Sequence, residues 1–374
     1  VVLGEDERLA QVVASRLGVE TVIRTLSDLD AGAAVPPVVV LPLTETKDRV
    51  TALVETTSQL LRSDLRCGMH VVVPYPEGAI AGPGIAAFGR SLTAEHSKCV
   101  LTAAAVDLTA SNREESIADA VRRAVLTSSQ GGHILADGRT VTIAPLPFPS
   151  PTRTAFIRGG RYWINGMGTL AESLAGYLLD QHAAEIVITG RSPATGERAA
   201  ALARLAGRGT NVEYYQLDCT DPIAVRDFAA RIRPVRGVFH LAGVLRDGPA
   251  ARKTAADAQA VIDPKLGGAL ALDEATEDWS LDHFVVFSSV SGVFASPGQC
   301  DYAFANAAVD EFARRRATRR PGVTLSVAWP LWEGDGIAAG SNAASVLERF
   351  GMFPLPAYRA LPVLEALLSS EGTP

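Results

Sequence analysis

The chain has 374 residues, which suits two α/β domains of ordinary size, and its 35 Lys and Arg against 41 Asp and Glu give a net charge of -6. The basic residues are scattered, which argues against nucleic acid as a partner; no apolar run reaches the roughly 18 residues of a membrane span, which argues against a bilayer. The four cysteines, Cys67, Cys99, Cys219 and Cys300, have no C-x-x-C spacing and the six histidines no ligand spacing, so neither a disulfide framework nor a metal centre is expected. The expectation is a soluble, cytoplasmic protein, and the strand-like opening VVLG, with no basic-then-apolar leader, reads as part of a longer polypeptide.

Short β-branched runs alternate with amphipathic stretches from the start. VVVLPL (38–43), HVVVPYP (70–76) and VLTAAAVDL (100–108) predict buried strands, and DRVTALVETTSQLLRS and GIAAFGRSLTAEH predict the helices between them. Four prolines in APLPFPSPTRTAF (144–156) continue neither a helix nor a central strand, which places a domain boundary there, after residues 1–150. The alternation then restarts with strand RYWIN, helix TLAESLAGYLLDQHA, strand EIVITG, helix GERAAALARLA, strand VEYYQLD, helix DPIAVRDFAARI and strand GVFHLAG. HFVVFSS, a helix from about Gln299 to Arg316, and VTLSVAW complete it. The pattern predicts an α/β chain with two Rossmann-like, doubly wound parallel sheets, and only the second, residues 157–374, has a glycine-rich first turn.

That turn, NGMGTLA (165–171), follows a strand and precedes a helix, so Gly166 and Gly168 allow the backbone to approach a pyrophosphate seated on the helix N-terminus. The spacing alone fits a tight strand-to-helix turn equally well. Arg191, with Ser192 beside it, ends the second strand where an arginine takes the NADP 2′-phosphate, or else is a solvated surface charge. Asp218 ends the third strand, placed to accept from an adenine amino group or to cap a helix, although Asp221 suits the cap better. Ala242 and Gly243 in HLAGV form a small turn where a nicotinamide ribose passes. Further on, FSSVSGVFASPGQCDYAFANA (287–307) offers Ser288 and Ser289 at a strand end and Tyr302 four residues before Asn306 on a helical stretch, where both share a face. Singly, the serines also read as a turn, Tyr302 as a half-buried helix tyrosine and Lys265 as a solvated cation. Together, downstream of a cofactor turn, they favour catalysis.

From about residue 157 onward the chain resembles the ketoreductase domain of modular type I polyketide synthases, complex short-chain dehydrogenase/reductases. GVLRDG, DPKLGGALAL, FSSVSGVFASPGQCDYAFANAAVDEFA and WPLW carry the resemblance in order and at the family's spacing. The LRD and WPLWEGDG wording is similar to synthases with free-standing acyltransferases. The resemblance implies that residues 1–150 are a truncated, structural Rossmann-like subdomain and that the rest binds NADPH. It implies Tyr302 as proton donor to the substrate oxygen and Ser289 as the hydroxyl that holds that oxygen. Lys265 and Asn306 complete the tetrad, the asparagine standing where simpler relatives have their lysine and ordering a relay water. A free tyrosine, with a pKa of about 10, releases its proton reluctantly, so an ammonium such as that of Lys265 has to favour the phenolate.

The implied reaction is reduction of a 3-ketoacyl thioester on the phosphopantetheine arm of an acyl carrier protein, beside neighbouring synthase domains, to the D-β-alcohol. Asp247 of the L-x-D element is the implied marker of product hand, Phe294 stands where the opposite class has tryptophan, and Trp332 of WPLW joins them on the substrate side. Residues 333–356 suit a lid over the substrate. One departure stands out: where the family turn reads T-G-G-x-G-x-L-G, this chain has Asn165 for the threonine, one glycine fewer, and Ala171 last, whose methyl is expected to crowd the helix against the strand and weaken cofactor binding. A catalytically silent scaffold module is therefore the alternative function.

Overall fold

The computed structural model describes residues 2–3, 7–17, 23–24, 38–41, 48–62, 69–107, 112–127, 132–134, 155–208, 212–232, 234–333 and 353–370. The chain divides into two compact units, each drawn from separated stretches. The first holds Val1–Ala144, Arg246–Ile262 and Ser291–Ala308; the second holds Pro145–Leu245, Asp263–Val290 and Val309–Pro374. A purely sequential split misses the two later segments that group with the first unit. The expected boundary stretch falls largely outside the described residues, which omit 135–154.

The first unit is built on a parallel sheet of β1 (Val2–Leu3), β2 (Ile23–Arg24), β3 (Val38–Val40), β4 (Met69–Pro76), β5 (Cys99–Val106) and β6 (Gly132–Ile134), in the order β2-β1-β3-β4-β5-β6. The middle strands are apolar on both faces because helices cover both sides of a parallel sheet. Helices α1 (Glu7–Leu17) and α4 (Arg113–Thr127) bury Leu9, Val13, Ile117 and Val121 with Val40, Val72 and Ala104. Between β4 and β5, α3 (Ala81–Glu95) lies so close to β5 that a Cβ on Gly89 would stand 2.6 Å from the Leu101 carbonyl oxygen. α2 (Asp48–Arg62) supplies Ser58, whose hydroxyl donates to the Ala251 carbonyl at 2.9 Å. α3 also ties down both late segments: Glu95 accepts from the backbone N–H of Ala250 and of Gly298, and Arg90 donates to the Gly292 carbonyl.

The second unit carries β7 (Arg161–Asn165), β8 (Glu185–Gly190), β9 (Val212–Gln216), β10 (Gly237–His240), β11 (His283–Ser289) and β12 (Val323–Trp329) in the order β12-β11-β10-β7-β8-β9, all parallel. Chain order runs outward from β7 to one edge and then restarts at β10 on its other side. The β7/β10 pair is therefore the switch point, where such sheets open a crevice beyond the strands' carboxyl ends. The helices are α5 (Thr169–His182), α6 (Glu197–Ala206), α7 (Pro222–Arg231), α9 (Gly268–Ala275) and α11 (Ala357–Leu368), while α8 (Ala255–Ile262) belongs to the first unit. α10 (Cys300–Ala317) is grouped with the first unit up to Ala308 and with the second from Val309. The third strand ends at Gln216, two residues before the expected Asp218, and Asp221 caps α7 as anticipated, accepting from Ile223 N and Ala224 N.

Within the first unit, the start of α10 rests on a buried ion pair. Lys253 Nζ lies 2.8 Å from the Asp301 carboxylate and donates to the Arg246 carbonyl at 2.5 Å, and Asp301 Oδ1 accepts from the Tyr302 N–H at 2.9 Å. Burial pushes the Asp301 carboxyl up, and Lys253 opposes that. Removing one partner strands the other charge. Lys253→Met is therefore expected to lower stability in urea unfolding by about 3 kcal/mol, and the double replacement Lys253→Met, Asp301→Leu to recover most of it; a single variant as stable as the parent would show that the pair holds nothing.

Candidate active site

At the switch point, β7 ends in a turn that only glycine fits. Gly166 has φ +113°, and a Cβ there would stand 2.8 Å from the Ala242 backbone nitrogen, so the β7 turn and the turn after β10 touch backbone to backbone. Gly166, Ala242 and Gly243 line a cleft of about 180 Å³, together with Arg191, Ser192 and Asp218. Gly168 is not in the lining. It is the N-cap of α5 and offers no side-chain acceptor to the first turn of that helix. Ala171 is 1% exposed and shares a core cluster with Ile164 and Ile188, so its methyl is accommodated by the packing.

The exposed guanidinium of Arg191 sits on a fixed backbone. Tyr214 OH donates to the Gly190 carbonyl at 3.2 Å and to the Ser192 carbonyl, and Gln216 Nε2 donates to the Arg191 carbonyl at 3.0 Å. Arg198, in the first turn of α6, lines the same cleft and was not anticipated; the sequence signal is a second arginine one helical entry past the first. Asp218 turns part of its carboxylate inward on its own loop, accepting from Thr220 N at 3.0 Å and Thr220 Oγ1 at 2.8 Å. Two guanidiniums on the lining and a glycine that a Cβ would block fit the phosphates of a dinucleotide.

Below the cleft runs a directed chain of buried hydrogen bonds. Trp163 Nε1 donates to Thr189 Oγ1 at 2.9 Å, Thr189 Oγ1 to Asn165 Oδ1 at 3.0 Å, and Asn165 Nδ2 to His240 Nδ1 at 2.9 Å. His240 Nε2 then donates to the Lys265 carbonyl at 2.9 Å. With one ring nitrogen accepting and the other donating, the imidazole is neutral in a single tautomer; burial first, and the Lys265 charge second, pull its pKa down to about 3. Asn165, the departure from the family turn, is thus a working member of the chain. Neither it nor His240 was anticipated, although polar residues at the inner ends of apolar strands were the available signal.

Lys265 itself sits in a single π-helical turn, Asp263–Gly267, between α8 and α9. Pro264 lacks an N–H and so withholds one bond from the regular ladder, and such turns recur at functional sites. The lysine is 3% exposed, and Nζ donates to the Phe287 carbonyl of β11 at 2.9 Å. Ser289 ends the same strand, half-buried. On α10, Tyr302 is half-buried and Asn306 fully buried, with Asn306 Nδ2 bonded to the Tyr302 carbonyl at 2.8 Å, so part of the asparagine amide is committed to its own helix. Asp247 is exposed and accepts from Gln299 Nε2 at 2.9 Å, while Gly248 N donates to the Gly298 carbonyl at 2.9 Å; Phe294 is 49% exposed.

Trp332, expected on the substrate side, is packed in the core of the second unit. Its ring is 5% exposed and packs edge-on against Trp329 at 5.2 Å and near Phe287, in the core. Leu355 bridges to Trp332, its N–H donating to the Leu331 carbonyl and its carbonyl accepting from Glu333 N, which ties these two stretches of backbone together. The interior of the expected lid, 334–352, lies outside the described residues. Among the described residues no group of His, Cys, Asp and Glu could hold a metal ion, and no helix is long and apolar enough to cross a membrane.

Residues 160–334 match the family model described as KR domain. The polyketide synthase PksN of Bacillus subtilis (strain 168) is 32% identical over 302 residues, 76% of this chain, and the chain spans 5% of that protein's length. The pikromycin polyketide synthase component PikAIII of Streptomyces venezuelae is 34% identical over 239 residues, 63% of this chain and 15% of that protein. Among solved structures, a ketoreductase domain from the bacillaene assembly line matches with a TM-score of 0.76 at 26% identity, covering 99% of this chain and 89% of the other. An N-terminal ketoreductase from the macrolactin assembly line shares the fold at a TM-score of 0.79 and 23% identity, covering 100% of this chain and 85% of the other. The domains of this superfamily use a nicotinamide cofactor, and the chain belongs to the ketoreductases of polyketide synthases.

Proposed function

We propose that this chain reduces the β-keto group of a 3-ketoacyl thioester, carried on an acyl carrier protein, to the D-β-hydroxyacyl thioester, with NADPH as reductant. The observation that carries the reading is the cleft at the switch point, with Arg191 and Arg198 on its rim and the Lys265 turn bonded to the strand beside it. When bound, the nicotinamide supplies a hydride to the carbonyl carbon. The protein's part is to hold the carbonyl oxygen and deliver a proton to it. In this reading Ser289 donates a hydrogen bond to that oxygen and Tyr302 transfers its phenolic proton as negative charge develops there. The Lys265 ammonium favours the phenolate left behind, and Asn306 serves the path that reprotonates it. The relatives' far greater length supports a carrier protein and neighbouring synthase domains as partners.

Tyr302→Phe is expected to lower kcat by about 10²- to 10⁴-fold, the usual worth of a placed general acid, while NADPH titrates with nearly unchanged affinity. Turnover of a simple 3-keto thioester close to that of the parent protein rejects Tyr302 as the donor.

Preference for NADPH over NADH rests on the guanidinium of Arg191, since a bidentate contact to the 2′-phosphate has no counterpart in NADH. In fluorescence titrations Arg191→Ala should raise the Kd for NADPH at least tenfold and leave that for NADH nearly unchanged; an unaltered ratio makes Arg191 a surface charge.

Product hand follows from which face of the ketone meets a fixed nicotinamide, so the side of thioester entry decides it. Asp247, held by Gln299, is proposed to mark that side. Chiral chromatography of the product from a simple 3-keto thioester should show mainly the D-alcohol, with the excess eroded in Asp247→Ala. A mainly L product contradicts the assignment.

A further inference from the structure

Lys265 has its Nζ anchored on the Phe287 carbonyl, which accepts from the ammonium but brings no full charge. Burial of that kind disfavours the charged form. Three titratable groups bear on this lysine from the elements packed around it: Cys219 after β9, His240 at the end of β10, and Asp310 on α10. The Cys219 thiol is pushed up by burial and the His240 imidazole is held neutral, so neither carries charge at neutral pH.

Asp310 is different. It lies one helical turn past Asn306 and two past Tyr302 in the sequence of α10, and its carboxylate is gripped from two strands. Ser326 Oγ of β12 donates to Oδ1 at 2.5 Å, and the Ser288 hydroxyl of β11, next to the residue that anchors Lys265, bonds the same carboxylate. Hydroxyl donors favour the ionised form of a buried acid. Sequence reading placed Ser288 only as a neighbour of Ser289.

We propose that Asp310, oriented by Ser288 and Ser326, is the counter-charge that keeps the buried Lys265 ammonium protonated, a positioning residue that acts through the lysine. The inference rests on the reading in which Lys265 assists Tyr302. Desolvation pulls Lys265 down to about 8 and the Asp310 charge is the main influence opposing it; burial pushes Asp310 up to about 6, the two hydroxyls and Lys265 opposing. Between those values, over neutral pH, the carboxylate is charged and the lysine still holds its proton. Without the carboxylate the lysine loses its proton at lower pH, and the reductase should lose rate on its alkaline side sooner.

The chain has four lysines, Lys47, Lys98, Lys253 and Lys265, so each can be followed by NMR in protein carrying isotope-labelled lysine, with Lys265→Arg assigning the signal. The titration midpoint of Lys265 should fall by about one unit or more in Asp310→Asn. Ser326→Ala, a milder change, should lower it in the same direction and decides the matter where Asp310→Asn does not fold. The alkaline limb of the pH profile for 3-keto thioester reduction should move down with it, while circular dichroism reports the fold. An unchanged midpoint overturns the counter-charge. A midpoint that moves while the alkaline limb stays supports the counter-charge and instead overturns the role of Lys265 beside Tyr302.

Discussion

An ammonium taken out of water either finds oxygen partners and negative charge or gives up its proton. Much of the second unit meets that condition at Lys265. The π turn at Pro264 turns the lysine inward, Phe287 of β11 receives Nζ, and His240 of β10 receives the turn's own carbonyl. Because His240 donates from Nε2, its Nδ1 must accept, and Asn165 of β7 provides the donor. Three neighbouring strands are thereby joined, through side chains and one turn, to a single cation.

The same strand ends frame the cleft. Gly166 lets the β7 turn press on Ala242, and its positive φ is a conformation few side chains tolerate. Asn165, one residue earlier, also lines the cleft but is 1% exposed and commits its amide to buried partners. The turn thus combines a glycine that presses on the neighbouring turn with an amide held by Thr189 and His240. The unusual NGMGTLA wording follows from that combination, and the packed Ala171 shows that α5 still lies closely on the sheet.

Much of the architecture was legible in the sequence because both periodicities were clean. Runs such as EIVITG and HFVVFSS are buried on both faces and bounded by turn residues, and the structure returns them as β8 and β11. Most of the residues that line the cleft sit at or just past strand ends, which the topology brings together. What escaped depends on tertiary context. Nothing in DPKLG announces a π turn, and a lysine between helices reads as solvated until the strand that receives it is known. The packing of Trp332 was hidden for the converse reason: WPLW looks like the start of a mobile segment, but Leu355 bridges to its backbone and the ring lies in the core. The grouping of 246–262 and 291–308 with the first unit rests on contacts such as Glu95 with Ala250 and Gly298, which no local pattern encodes.

The central claim, that the cleft and the lysine beside it belong to a working reductase and not to a silent scaffold, is tested most directly by the unaltered protein. NADPH oxidation followed by absorbance with a simple 3-keto thioester, and identification of the product by mass spectrometry, should show one β-hydroxy thioester formed per NADPH consumed. A folded protein that binds NADPH yet yields no hydroxy product, whether the thioester is free or loaded on a carrier protein, contradicts the account.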